Sequence, residues 1–220
     1  MQELISRIEQ YIADPDEPMN SFELGYQYEL MGHMASAMGY YLKCAELTDE
    51  TKVAYECLLR KAMCLDALKD RNAHVRNSCL LAIGLMPERP EAYHLLSISY
   101  ERVGLWQESY AWAKTAQRLN GVPKNDRIDN VNYEGYYTLP FQEAVALWWL
   151  GRFDESLAKF KEVQKLDGIS PTYIGHCQWN IDNLEGKDAD KLASQSGNST
   201  TDKEEIIKKI LAKREEKTND

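Results

Sequence analysis

The sequence predicts an all-α protein, a right-handed α-solenoid of antiparallel helix pairs with about four repeats and flanking helices. Apolar residues recur at three- and four-residue spacing, which places them on one face of a helix. The helical stretches come in pairs joined by short turns, and the pairs recur with a period of 34 residues. Helical and strand-like stretches do not alternate along the chain, so no α/β fold is expected.

Residues 90–123 form the clearest unit, two short helices with a tight turn between them. Pro90 suits the first helical turn, and Gly104 lets the backbone turn sharply after the first helix. Large residues share one face of the first helix, and small residues in the second let the two helices lie close together. These residues are Tyr93, Leu96, Ser97 and Tyr100, followed by Ser109, Ala113 and Ala116. The length and pattern of this unit resemble the tetratricopeptide repeat.

Before the repeats, residues 2–12 are predicted to form an amphipathic helix. Its apolar face consists of Leu4, Ile5, Ile8 and Ile12. The prolines in the segment 14–18 end this helix, because the residue before a proline avoids the helical region. Residues 18–51 then form the first repeat, in which Gly25 and Ala37 are expected to face each other across the helix pair.

The second repeat is degenerate. It covers residues 56–89, after a short extra segment near residues 52–55. Asp66 stands where the repeat pattern usually has Tyr, and Asp70 stands where it usually has Gly. Residues 90–123 form the third repeat. An insertion rich in turn formers and tyrosine follows at residues 124–138.

The remaining segments complete the predicted organisation. Residues 137–170 form a fourth repeat, and 171–185 form one more helix that ends before Gly186. The solenoid thus spans residues 1–186. Residues 187–202 are predicted to be a flexible linker, and 203–217 a short charged amphipathic helix. That helix is short enough to be marginal in isolation, so three outcomes stay open: docking on the solenoid, pairing with a partner, or fraying.

Longer segments carry a second resemblance, to the tetratricopeptide region of certain glycosyltransferases, often phage-encoded. They include F-E-L-G-Y-Q-Y-E-L-M-G-H-M-A-S-A-M-G-Y-Y-L-K-C-A-E and L-P-F-Q-E-A-V-A-L-W-W-L-G-R-F-D-E-S, and the similarity covers residues 1–170. In that family the repeats lie beside a catalytic domain with a nucleotide-sugar fold. This chain has no strand–helix alternation, and its D-x-D at Asp188 lies in the predicted linker. The resemblance therefore implies an accessory module that binds an enzyme, an acceptor protein or a glycan.

The binding surface expected from the repeat family is the groove lined by the first helix of each pair. Transferring the inward-facing family positions onto this sequence gives a set of aromatic and basic side chains. This set, the predicted groove residues, is Phe22, Tyr26, Arg60, His94, Arg102, Phe141, Trp148, Trp149 and Trp179. Such a groove would bind a peptide or protein surface through apolar anchors and charge-assisted hydrogen bonds. The alternative for Trp148 and Trp149 is packing against the insertion.

No catalytic, cofactor or metal motif is found, so we expect a non-enzymatic protein without cofactors. Cys57 and Cys64 lack the histidine or second cysteine pair that a zinc site needs. Residues 1–50 contain ten acidic and two basic residues, whereas residues 51–100 have a net charge of +2. The acidic end either attracts a basic partner or is a solvated surface. The overall charge of −9 argues against nucleic acid as a partner.

The expected compartment is cytoplasmic. The N-terminus has acidic residues and no apolar signal core, and no stretch is long and apolar enough to cross a membrane. The five cysteines are odd in number and lie in apolar, helical stretches, which indicates reduced thiols. The expected partner is therefore a protein or peptide, with a glycosyltransferase or glycan acceptor implied only by the second resemblance.

Overall fold

The computed structural model describes residues 2–122, 131 and 133–186, and this part of the chain is helical throughout apart from its turns. The predicted linker at 187–202 and the predicted helix at 203–217 lie outside the described residues. The helices are α1 (Gln2–Ala13), α2 (Pro18–Leu30), α3 (Met34–Leu47), α4 (Thr51–Ala67), α5 (Asn72–Leu85), α6 (Pro90–Glu101), α7 (Trp106–Ala116), α8 (Thr138–Trp149), α9 (Phe153–Val163) and α10 (Pro171–Glu185). A 3₁₀ turn, Gln117–Leu119, extends α7. The described residues fall into two compact units, the first ending at Gln142 and the second beginning at Glu143.

Small residues bring the two helices of a repeat together at a recurring contact. In the first repeat, a side chain at Gly25 would meet the Ala37 carbonyl oxygen at 3.3 Å and Tyr40 Cβ at 3.2 Å. In the third repeat, Ser97 Oγ donates to the Ser109 carbonyl oxygen at 2.8 Å. These two contacts join residues at equivalent positions of the two repeats, twelve residues apart in each case. They confirm the predicted pairing and its register.

The second unit repeats the same contact, where Ser156 Oγ donates to the Ala144 carbonyl oxygen at 2.8 Å. Phe160 and Val163 of α9 and Cys177 and Ile181 of α10 are buried there, as an amphipathic helix pair requires. Gly186 ends α10 in the left-handed conformation, in agreement with the predicted boundary. The second unit thus has the same local architecture as the repeats of the first.

A glycine turn ends the first helix of three repeats in the same way. Gly32, Gly104 and Gly151 have φ values of 77°, 73° and 74°. In each turn the amide of the following residue donates to the carbonyl five residues earlier, as in Arg152 to Leu147 at 3.0 Å. In the second repeat Asp70 takes this place at φ 50°, and Lys69 before it has φ 55°. A non-glycine residue in this conformation is strained.

The core of the first unit is continuous through α4, α5 and α6. Tyr55, Leu59 and Leu96 are fully buried in it. Residues 52–55, which are extra to the 34-residue pattern, belong to α4, which begins at Thr51. Val53 and Tyr55 are buried there, so apolar burial extends the helix beyond the 34-residue pattern. No helix among residues 2–122 and 133–186 is both long and apolar enough to cross a bilayer.

Candidate functional site

The predicted groove residues on α2 and α4 form one cluster, in which Phe22 and Tyr26 are half-buried and Arg60 is buried. Arg60 is only 4% exposed, and its guanidinium lies 4.9 Å from the Tyr26 ring centroid and 5.8 Å from that of Phe22. Its Nε donates to Glu56 at 3.0 Å, and its Nη1 lies 3.4 Å from Glu29. Burial alone would lower the pKa of Arg60, but the neighbouring tyrosine and carboxylates outweigh burial and raise it. Arg60 therefore holds the first two helix pairs together from within.

Part of the predicted insertion packs on the first helix of the third repeat. His94 is buried, and the Tyr133 ring meets its ring edge-on at 5.7 Å. Val131 and Tyr133 join the buried cluster that includes Leu59 and Leu96. Burial, followed by the charge of the nearby Glu91, raises the pKa of the Tyr133 phenol. The described residues of the insertion thus cover the α6 surface on which His94 was predicted to bind a ligand.

A second buried polar network lies at the start of α6. Arg89 forms an ion pair with Glu91, which is 1% exposed. Tyr55 Oη donates to Glu91 at 3.2 Å and accepts from the Ala92 amide at the same distance. Burial is the main cause that raises the pKa of Tyr55, so this phenol stays protonated. The network holds α4 against α6, and none of these buried side chains is exposed for binding a ligand.

The pocket of interest in the first unit lies between α4, α5 and α6. Its apolar lining comes from Met63 on α4, Val75 on α5, Leu95 and Ile98 on α6, together with Ala62. Ser99 completes the lining, and its hydroxyl lies 3.5 Å from the Asn72 carbonyl oxygen. The pocket has a volume of about 20 Å³, which is room for the end of one side chain and not for a whole ligand.

An ion pair between Arg102 and Asp66 lies at this pocket. The Arg102 side chain is 47% exposed and that of Asp66 is 25% exposed, so both remain accessible to solvent. An arginine has five donors in a fixed fork, and one carboxylate engages only some of them. Of the predicted groove residues in the first unit, Arg102 is the charged one that stays accessible.

The pocket coincides with the departures of the second repeat from its pattern. Met63 and Val75 occupy the positions at which the other repeats bring Gly25 against Ala37 and Ser97 against Ser109. Asp66 stands where the first and third repeats have Tyr28 and Tyr100. Larger side chains at the crossing, and an aspartate where two other repeats have a tyrosine ring, accompany the concavity. Sequence reasoning noticed Asp66 but missed Met63 and Val75. The sequence signal that could have revealed them is that this repeat alone lacks the two small residues at the helix crossing.

The aromatic groove residues of the later helices differ in accessibility. Trp148 and Trp149 are half-buried near the end of α8, and Phe141 is half-buried near its start. Trp179 on α10 is 54% exposed. In the second unit, Trp179 is thus the predicted groove residue with the largest accessible surface. Among the residues that the structure describes, no three His, Cys, Asp or Glu side chains come together as a metal site would require.

Comparison with known proteins identifies the fold. No protein-family model and no curated protein sequence matches the chain. A crystal structure of MamA aligns with a TM-score of 0.61 at 17% identity, over 74% of this chain and 85% of that one. YrrB, described as a TPR protein with an unusual peptide-binding site, aligns with a TM-score of 0.57 at 16% identity, over 94% of this chain and 91% of that one.

A third structure, of nearly identical TPR-like repeats from Podosopora anserina, aligns with a TM-score of 0.56 at 14% identity, over 91% of this chain and 97% of that one. At such identities the likeness establishes the fold and nothing finer. The prediction of an all-α tetratricopeptide-like fold is confirmed.

Proposed function

We propose that this protein is a non-catalytic interaction scaffold that binds a peptide or a protein surface through its repeats. The observation that carries the proposal is the pocket between α4, α5 and α6, with its apolar lining and the accessible Arg102–Asp66 pair. Tetratricopeptide folds present such surfaces to partners, and the similar protein YrrB is described as having a peptide-binding site.

The chemistry of the pocket supports one class of ligand. Met63, Val75, Leu95 and Ile98 suit an aliphatic side chain, because burying one releases ordered water from apolar surface. The donors of Arg102 that Asp66 does not engage suit a carboxylate close to that side chain. The preferred peptide therefore has a Leu or Met next to, or one turn away from, an acidic residue. Phe22, Tyr26, Phe141, Trp148, Trp149 and Trp179 remain predicted contacts for the rest of a longer ligand.

A displayed random-peptide library selected against the full chain tests this function. We expect the enriched peptides to share an aliphatic residue near an Asp or Glu. Arg102→Ala should weaken their binding at least tenfold and reduce its salt dependence, since the charge pair with the ligand carboxylate is lost. Arg118→Ala, at another exposed arginine, is the matched control and should change the affinity less than twofold.

Asp66→Tyr provides the second variant, because it restores the residue of the first and third repeats and should fill the pocket. It should abolish binding while leaving the circular dichroism of the helices unchanged. Enriched peptides that bind equally well to wild type, Arg102→Ala and Asp66→Tyr would contradict the proposal.

The glycosyltransferase association rests on sequence resemblance alone and remains a prediction. Glycan-array binding that is lost in Trp179→Ala, or co-purification with a sugar-nucleotide enzyme, would support it over the peptide scaffold. The cytoplasmic location likewise remains a prediction from the cysteine content.

A further inference from the structure

The N-terminal helix α1 presents an apolar surface that the repeats leave uncovered. Ile5 is 50% exposed and Ile12 is 70% exposed, and Ile8 lies between them, half-buried, on the same side. We name these three residues, with the neighbouring Glu9, the α1 ridge. Isoleucines that are exposed at three- and four-residue spacing on one helix form an apolar patch, and such patches mark contact surfaces.

Another part of the α1 surface packs on the next two helices. Tyr11 meets the Tyr40 ring edge-on at 5.2 Å, and Lys43 Nζ donates to its hydroxyl at 2.9 Å. Asn20 Nδ2 donates to the Asp14 carbonyl oxygen at 2.8 Å, which ties the end of α1 to α2. These contacts hold α1 against α2 and α3, and they leave Ile5 and Ile12 exposed.

The surroundings of the ridge are acidic. Glu9, Asp14 and Asp16 are exposed, and within the described part of the chain their carboxylates have no ion-pair partner. The two basic residues among the first fifty, Arg7 and Lys43, are already engaged. Arg7 binds Glu3 and Glu23, and Lys43 lies 4.7 Å over the Tyr11 ring. A ligand on the ridge therefore meets uncompensated negative charge.

We propose that the α1 ridge docks a basic amphipathic helix of a partner protein. Isoleucines at positions 5, 8 and 12 match the apolar stripe of such a helix, whose Lys and Arg residues would face Glu9, Asp14 and Asp16. A second copy of this chain is a poorer occupant, because two ridges would bring like charges together. An anionic membrane surface is repelled for the same reason. This surface is separate from the α4–α6 pocket and is tested with different residues.

Fluorescence anisotropy of the full chain with labelled 18-residue peptides tests the proposal. The probes are a Leu–Lys peptide with amphipathic helical periodicity, a scrambled peptide of the same composition, and a Leu–Glu peptide of the first pattern. We expect the patterned Leu–Lys peptide to bind at least ten times more tightly than the scrambled one. The Leu–Glu peptide should not bind, since its carboxylates face those of Glu9 and Asp16.

Variants localise the binding. Ile5→Ser with Ile12→Ser should weaken the Leu–Lys peptide at least tenfold, and Glu9→Gln with Asp16→Asn should weaken it and lower its salt dependence. The matched controls are Leu81→Ser, which is 58% exposed on α5, and Glu46→Gln with Glu88→Gln. These controls should change the affinity less than twofold. All positions are exposed, so the thermal unfolding midpoint should show that every variant folds.

Three results would overturn the proposal. Equal affinity for the patterned and scrambled peptides would mean that net charge alone accounts for the binding. Unchanged binding in the isoleucine variant would place the site elsewhere. A dimer in sedimentation that Ile12→Ser dissolves would assign the ridge to a second copy of this chain instead.

Discussion

At the scale of single residues, the second repeat departs from the others at the proposed binding pocket and at a strained turn. Met63, Asp66 and Val75 open the pocket, and Asp70 takes a conformation that glycine takes in the other repeats. Arg60 shows the opposite case. The family pattern predicts that Arg60 faces the groove, but its side chain is buried in a cluster with Glu29 and Glu56. A residue's neighbours in space, and not its place in the repeat alone, decide whether it is accessible.

Asp70→Gly should stabilise the protein. The native φ of 50° disfavours a side chain, and glycine adopts this conformation without a Cβ penalty. We expect the free energy of unfolding to rise by about 0.5–1 kcal/mol, less than the full strain because glycine also gains entropy in the unfolded chain. Urea denaturation measures the change.

The reciprocal substitution Gly104→Ala, at φ 73°, serves as the control and should destabilise by about 1–2 kcal/mol. A loss of stability in Asp70→Gly would mean that the Asp70 carboxylate stabilises the fold by more than its left-handed backbone conformation destabilises it.

At the scale of elements, the helix pairs depend on close approach at one crossing. Gly25 of α2 lies against Ala37 and Tyr41 of α3, where an added Cβ would meet Tyr41 Cδ1 at 3.3 Å. Serine pairs replace this contact in α6–α7, with the two hydroxyl oxygens 3.1 Å apart. The serines make a polar contact that glycine and alanine cannot, yet both solutions keep the crossing narrow. The repeat therefore accepts either apolar or polar residues at this contact, provided that they are small.

Gly25→Leu should lower the free energy of unfolding by about 1–3 kcal/mol, because the new side chain overpacks the crossing. Ala37→Leu should have the same effect from the other helix. Gly39→Leu on α3 is the matched control, since nothing lies within 4 Å of its ideal Cβ. There leucine should stabilise the helix by about 0.5–1 kcal/mol through its higher helix propensity. Equal effects of leucine at positions 25 and 39 would contradict the proposed crossing.

At the scale of the whole molecule, the reactivity of the five thiols measures the opening of each unit separately. All five are buried, with Cys44, Cys57, Cys64 and Cys79 in the first unit and Cys177 in the second. Burial raises the pKa of the Cys79 thiol to about 12 and that of Cys177 to about 11. The thiolate is the reactive form, so these cysteines should be nearly inert in the folded protein at pH 8.

Labelling with N-ethylmaleimide across a urea series, followed by mass spectrometry, gives the opening of each unit. Every cysteine should react roughly a hundredfold more slowly in buffer than in the unfolded chain, because little thiolate forms and access is blocked. Cys44, Cys57 and Cys64 share one buried cluster and should become reactive together, whereas Cys79 lies in the core of α4, α5 and α6 and reports on that core. Rapid native labelling of Cys79 would mean that the α4–α6 core opens far more readily than its burial implies.

The sequence by itself determined the helices, their pairing and the repeat register, because a 34-residue period and small residues at the crossing are local signals. It placed the ends of α6 and α10, and it singled out Asp66 and Asp70 as departures. Only the tertiary structure decided that Arg60 and His94 are buried, that Tyr133 packs on α6, and that Met63 and Val75 line a pocket. The reason is physical: periodicity assigns a residue to a face of its helix, but accessibility depends on which other segments pack against that face.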